Sequence, residues 1–236
     1  MYSEVTSYAR ASFAKQRILP LVATILIGFG VLAFALDVPL AIWLHEHELP
    51  SELLKPFKFA EIGGHGTGAA MVLFAAIHLA RKGASTTHRR QQLARLIAAT
   101  YVGSLVVDGL KLVIPRVRPR FADFSVGLNA QDTFGRQLLE LGEHSKAALM
   151  SFPSGHSAVA AGLAAALCWL HPSGRLVYLT LAVMASLQRI IHGWHYLSDV
   201  LIGAGIGLLG AYLTLHYKTA TVNRGQSEFD NSYADS

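Results

Sequence analysis

His195 and Asp199 are four residues apart, so on a helix they share a face. A carboxylate there can hold an imidazole in one tautomer and raise its nucleophilicity. His156 is a second imidazole, able to donate a proton near neutral pH. It follows Pro153, Ser154 and Gly155, a string suited to a helix start. Pro is favoured in a first helical turn, exposed backbone N–H groups there bind anions, and Gly155 lets an anion approach the backbone. Lys111, Arg118 and Arg189 can neutralise a dianion, and the planar fork of Arg matches phosphate oxygens. Taken singly these residues have plainer readings. An arginine near a span end is usually a headgroup anchor, a reading kept for Arg116 and Arg120, and Asp199 alone could be a simple charge at a helix N-terminus.

The elements that must carry them are apolar. Of 236 residues, 52% are hydrophobic and only 15% charged, against roughly 25% charged in an average soluble domain. The mean hydropathy is +0.38. These values argue against a soluble globule and against a disordered chain. Residues 18–36 contain no charge and match the ~20 residues needed to cross a bilayer core. Arg10, Lys15 and Arg17 precede them, also the layout of a signal peptide, but the apolar run is longer than a usual signal core and favours an uncleaved helix. Five further spans are expected at about 62–80, 93–114, 155–170, 176–191 and 197–217. The fourth and fifth look short because polar residues occupy one end of each. The expected fold is all-α, a six-transmembrane helical bundle over residues 18–217, with a cytoplasmic segment 1–17 and a disordered cytoplasmic tail 218–236.

Loop charge gives an orientation. Residues 81–95 hold Arg81, Lys82, Arg89, Arg90 and Arg95 and no acid, which places them in the cytoplasm. Residues 37–61 hold Asp37, Glu46, Glu48, Glu52 and Glu61 against Lys55 and Lys58, which places them outside. By parity, Lys111, Arg118, Pro153 to His156, Arg189, His195 and Asp199 then gather in one outer layer. The positive-inside rule would not put a basic cluster there, and ionisable residues at membrane depth are functional candidates. The pI of about 9.4 fits cytoplasmic loops better than a nucleic-acid surface, because no aromatic residues alternate with the basic ones. Cys168 is the single cysteine, so neither an intramolecular disulfide nor a Cys-based metal site is available.

Three strings in order now carry a resemblance: Lys111-x6-Arg118-Pro119, Pro153-Ser154-Gly155-His156, and Arg189-x5-His195-x3-Asp199. Together they resemble the type 2 phosphatidic acid phosphatase superfamily, which also includes vanadium haloperoxidases. The resemblance covers about residues 60–217. One departure is Gln188, where that family usually has a phosphate-binding Ser; Gln188 is expected to act through its amide. The resemblance implies that His195 attacks phosphorus to form a phosphohistidine, Asp199 orients it, and His156 protonates the leaving alkoxide. Lys111, Arg118, Ser154, Gly155, His156 and Arg189 would hold the phosphoryl oxygens. The family needs no metal, and no Asp/Glu cluster lies among the motifs.

The implied protein is a lipid-phosphate phosphatase in a bacterial-type inner membrane, its site facing outward. Its partners would be a lipid phosphate or isoprenoid pyrophosphate and the bilayer, with no nucleic acid, cofactor or required protein partner. A phosphotransferase is the near variant. A vanadate-dependent haloperoxidase fits the hydrophobic spans poorly, and a non-catalytic lipid transporter or sensor does not need His156, His195 and Asp199 intact. Headgroup choice is expected from residues 121–152 and 45–66. Asp108, one turn before Lys111, is a candidate ion-pair partner. Gly63-Gly64-His65-Gly66 reads as a loop or helix start near the substrate entry, Gly203 and Gly207 as helix-packing positions, and Trp43, Trp169 and Trp194 as interfacial residues. The pattern assigns His192 no role.

Overall fold

The computed structural model describes residues 18–47, 49–79, 86–135 and 146–216. The expected N-terminal segment 1–17, the tail 218–236, and parts of the basic loop and of the 115–154 connection lie outside the described residues. The described chain is all-α: α1 (Ile18–Glu46), α2 (Ser51–Glu61), α3 (Gly66–Leu79), α4 (Thr86–Val113), α5 (Gly155–Leu170), α6 (Arg175–Ile191) and α7 (Leu197–His216). Only isolated bridges, from Arg116 to Phe134 and to Met150, interrupt that description.

Among the described residues, four helices are long and apolar enough to cross a membrane: residues 18–46, 90–113, 172–191 and 197–216. On α1 the large apolar side chains Ile18, Leu21, Ile25, Phe29, Leu32 and Leu36 are exposed at helical spacing. The buried face of α1 holds Ala23, Gly30, Ala33 and Asp37 and packs on α7. That division suits a helix with lipid on one side and protein on the other.

Three expectations need correcting. The first helix does not stop at Leu36 but runs to Glu46 through Asp37 and Pro39. It can do so because the Asp37 carboxylate is paired inside the protein. The second segment is not a straight span. Residues 51–64 and 66–78 form a helix pair bent by 78°, a broken span or a re-entrant loop, with a 3-10 turn at Ile62–Gly64. The break falls at His65, whose backbone is extended at φ −80° and ψ 136°. The fourth segment is short for a different reason from the one expected. α5 has 16 residues, and every residue from Ser157 to Leu167 is buried, so it is a core helix wrapped by the others. α6 is not short, since the 20 residues from Pro172 to Ile191 pass as a span.

Small residues let the wrapping helices come close. α7 packs on α1, α4 and α5, and α5 also on α4 and α6. A Cβ added at Gly203 would lie 2.3 Å from the Ser154 carbonyl oxygen, and one at Gly207 2.3 Å from that of Ala158. Both glycines are therefore packing positions that seat α7 against the start of α5.

Candidate active site

His195 lies in the turn between α6 and α7 and is 2% exposed. Its Nδ1–H donates to the Ser151 carbonyl at 2.6 Å. The Asp199 carboxylate stands 3.7 Å from the same nitrogen. A direct His–Asp hydrogen bond is the expectation from the spacing. Here the carbonyl fixes the tautomer, and Asp199 acts as a nearby charge and as an anchor for what surrounds the ring. With Nδ1 occupied, Nε2 carries the lone pair. Burial lowers the pKa of His195, against the pull of Asp199 and with help from the charges of Lys111 and Arg118. The imidazole is thus neutral at neutral pH, the form a nucleophile needs.

Asp199 is held from three sides. Arg116 Nη1 donates to it at 2.5 Å, Ser151 Oγ at 2.6 Å and the Tyr196 backbone N–H at 2.9 Å. Arg116 is the hub of this network and is completely buried. It also donates to Asp37 at 2.7 Å, Ser198 at 2.8 Å and Thr133 at 3.0 Å, and its guanidinium lies 4.0 Å from the Tyr196 ring centre. The headgroup-anchor reading of Arg116 is therefore replaced. Asp37 likewise is not a loop charge, because it accepts from Arg116 and from both the backbone and hydroxyl of Ser198.

Backbone pairing of the long connection delivers these arginines. The N–H groups of Arg116 and Arg118 donate to Leu149 and Ala148, that of Ser151 returns to Arg116, and that of Val117 goes to Thr133. Arg118 then reaches Met150 O only at 3.4 Å, and its Nε is buried without a partner. Burial, with Arg189 and Arg120 close by, lowers the pKa of the Arg118 guanidinium. Arg118, Arg120 and Arg189 converge on Trp194, at 4.9, 4.1 and 5.5 Å from ring centroids. Trp194 is thus a platform for the cations of the site as well as a residue near a helix end.

α5 starts with Ser154 as its N-cap. The Ser154 hydroxyl accepts from Ser157 N–H at 3.4 Å and Ser157 Oγ at 3.0 Å, and its own N–H donates to the Asp199 carbonyl at 2.9 Å. Pro153 precedes the cap and lies outside the helix. Lys111 sits against Gly155, since a Cβ there would be 3.1 Å from Lys111 Nζ. Asp108 is 3.6 Å from that ammonium, so the anticipated pair is present. His156 Nε2 is buried with no hydrogen-bond partner, within electrostatic reach of Arg189, His195 and Lys111.

Arg189 and Gln188 share a partner that the motifs do not contain. Glu61, at the end of α2, accepts from Arg189 Nη1 and, at 2.9 Å, from Gln188 Nε2. The Gln188 carbonyl takes a second Arg189 hydrogen bond at 3.1 Å. Both ends of the Gln188 amide are therefore engaged beside Arg189, and the direct phosphate contact expected of it is not free in this arrangement. Arg189 Nε remains buried and unpartnered. Glu61 and Asp37 carry no local signal, because their partners are 128 and 79 residues away.

Glu61, His65 and His156 bring potential ligand atoms within 4.8 Å of one another. The two Glu61 oxygens already serve Arg189 and Gln188, and a guanidinium in contact opposes a cation at this trio. On the other side of His195, a cleft of about 300 Å³ is lined by Asp37, His45, Arg120, His192 and Tyr196. Arg120 and His192 thus stand beside the site. His45 and Arg120 come from or border the segments expected to choose the headgroup.

The chain is 32% identical over 115 residues to a lipid A 1-phosphatase of Rhizobium etli, covering 48% of this chain and 45% of that protein. It is 33% identical over 122 residues to a lipid A 1-phosphatase of Rhizobium johnstonii, covering 51% and 46%. The chain thus spans about half the length of these relatives. Its fold is similar to that of a transmembrane PAP2 type phosphatidylglycerolphosphate phosphatase from Bacillus subtilis, with a TM-score of 0.54 and 20% identity over 84% of this chain and 96% of that one. The apolar helices and this fold make the protein an integral membrane protein. The model of the PAP2 superfamily matches residues 92–222, which contain all three strings and more than half of the chain, and the protein belongs to that superfamily.

Proposed function

We propose that this protein is a metal-independent membrane phosphatase that hydrolyses lipid phosphates, monoesters or isoprenoid pyrophosphates, through a phosphohistidine at His195. The observation that carries the reading is a pair of buried donors without partners, Arg118 Nε and Arg189 Nε, with the unpartnered His156 Nε2 beside them, gathered near a neutral His195. A buried donor left unsatisfied costs roughly 1–3 kcal/mol, so such a set implies an anion. The names of the relatives point the same way, toward phosphate esters of lipids.

In the first step His195 Nε2 attacks phosphorus and the bond to the ester oxygen breaks. His156 gives its proton to the leaving alkoxide, and the alcohol departs. In the second step water attacks the phosphohistidine, the P–N bond breaks, and His156 takes a proton from the water. Lys111, Arg118, Arg189 and the backbone N–H of Gly155, at the start of α5, stabilise the charge on phosphorus oxygens throughout. Asp199 steadies the imidazolium character that develops on His195. The six helical segments would set this site at the outer face of a bacterial-type inner membrane, beside the headgroups, where a lipid tail can stay in the bilayer.

The test is phosphate release from a panel of lipid phosphates by the purified protein in detergent, with acid-quench trapping of the phosphoenzyme. Wild type is expected to release phosphate with or without EDTA, and His195→Ala to lose both turnover and trapped label. Chelation that stops turnover, with recovery on adding magnesium, overturns the mechanism.

A further inference from the structure

Resting on that reading, we propose that His65 is the proton relay of the site, carrying protons between solvent and His156, with Glu61 positioning it. His65 stands at the elbow of the bent α2–α3 pair, outside the three motifs. Its ring meets His156 edge to face, with centroids 4.5 Å apart and planes at 78°. Its side chain is 52% exposed, whereas His156 Nε2 is buried and has no partner. His65 therefore touches water on one side and the candidate acid on the other. Glu61 Oε1 is 3.4 Å from His65 Nε2, placed to orient the ring. Nitrogens of both rings and the carboxylate lie within 4.8 Å of one another, close enough for one bridging water.

The elbow is built to sit there. A Cβ at Gly64 would lie 3.3 Å from the His156 carbonyl oxygen and 3.4 Å from its ring Cδ2, so glycine permits the approach. Tyr101 Oη donates to Gly66 O at 2.5 Å and ties the far side of the elbow to α4. The charged and titratable groups facing the pair are Glu61, Arg189, His195 and Lys111.

The proton count calls for such a path. In the empty site His156 sits among the cations Arg189 and Lys111, which oppose an imidazolium there. A bound phosphate dianion reverses that balance, and one proton must enter from solvent before the ester bond breaks. His65 takes it from water and passes it to His156, which gives it to the leaving alkoxide. Water attack on the phosphohistidine then returns one proton to His156. When phosphate leaves as the monohydrogen dianion, that proton exits through His65. The sum is one water and one ester converted to one alcohol and one phosphate.

The experiment uses the purified full chain in detergent with dihexanoyl phosphatidic acid, an alkoxide leaving group, and p-nitrophenyl phosphate, which needs little protonation. His65→Phe keeps the edge-to-face packing and removes the relay. Its kcat on phosphatidic acid is expected to fall on the order of tenfold, less than the roughly 10²–10⁴-fold of a direct acid–base group, with KM little changed and a several-fold smaller loss on the aryl ester. Added imidazole should restore the phosphatidic acid rate in His65→Phe and not in His156→Ala. His65→Asn should behave as His65→Phe does, and aryl phosphate turnover reports that each variant is folded. Equal loss on both substrates, or a rate indifferent to imidazole, overturns the relay. If His156→Ala itself loses both substrates equally, the acid assignment fails; if it discriminates and His65→Phe does not, the relay alone fails.

Discussion

At the scale of single residues, the proposed chemistry turns on keeping His195 uncharged near the cations Lys111 and Arg118. Desolvation lowers its pKa, and Lys111 and Arg118 push in the same direction. Protonation would add a charge beside others in a dry pocket, so the neutral form persists below the usual imidazole range. The acid limb of kcat/KM should accordingly lie below that range. Arg118→Gln removes one repelling charge, so it should move the limb to higher pH while reducing the rate; a pH profile on p-nitrophenyl phosphate reads both. A shift to lower pH would contradict the assignment. Arg116 works differently, since it touches both Asp37 and Asp199 and has no exposure. Arg116→Ala leaves two buried carboxylates unpaired, and the expected loss is about 3–5 kcal/mol of stability. Denaturation midpoints in detergent would show it. A variant as stable as wild type would mean that the pairs do not hold the site together.

At the scale of elements, the site depends on how closely α7 approaches the start of α5. The Ser154 N–H to Asp199 carbonyl bond joins the two helix starts, and Gly203 lies under Ser154 with no room for a methyl group. Gly203→Ala must push backbone against backbone, which typically costs about 1–3 kcal/mol. Because the displaced atoms belong to the α5 N-cap, the rate should fall along with thermal stability. Gly207→Ala meets Ala158 one turn further in. It should cost similar stability with a smaller effect on rate, and comparing melting temperature with kcat for the two variants separates packing from positioning.

For the molecule as a whole, α4 sets the scale. From Arg90 to Lys111 it runs on the order of 30 Å at 1.5 Å per residue, the thickness of a bilayer core. Its two ends should therefore face opposite sides. Single cysteines at Arg90 and Gln131, in a Cys168→Ala background, should label from opposite sides of the membrane in intact cells, with Gln131 reached from outside. Labelling of both from outside would sink the six-span orientation.

The local sequence determined a great deal. Apolar runs specify helices whatever surrounds them, because a bilayer leaves backbone groups no other partners. The three strings brought Lys111, Arg118, His156, Arg189, His195 and Asp199 into view through their resemblance to the motifs of the family. What the sequence could not show was which polar residues serve one another. Arg116 looked like an anchor and Asp37 like a loop acid until folding brought them to 2.7 Å. Glu61 and Trp194 became parts of the site only once α2 met α6 and the arginines met the indole. The elbow at His65, the burial of α5 and the carbonyl that fixes His195 are also tertiary facts. Helix periodicity is a property of neighbours in sequence, whereas charge compensation inside a membrane protein is settled by neighbours in space, and only the folded chain defines those.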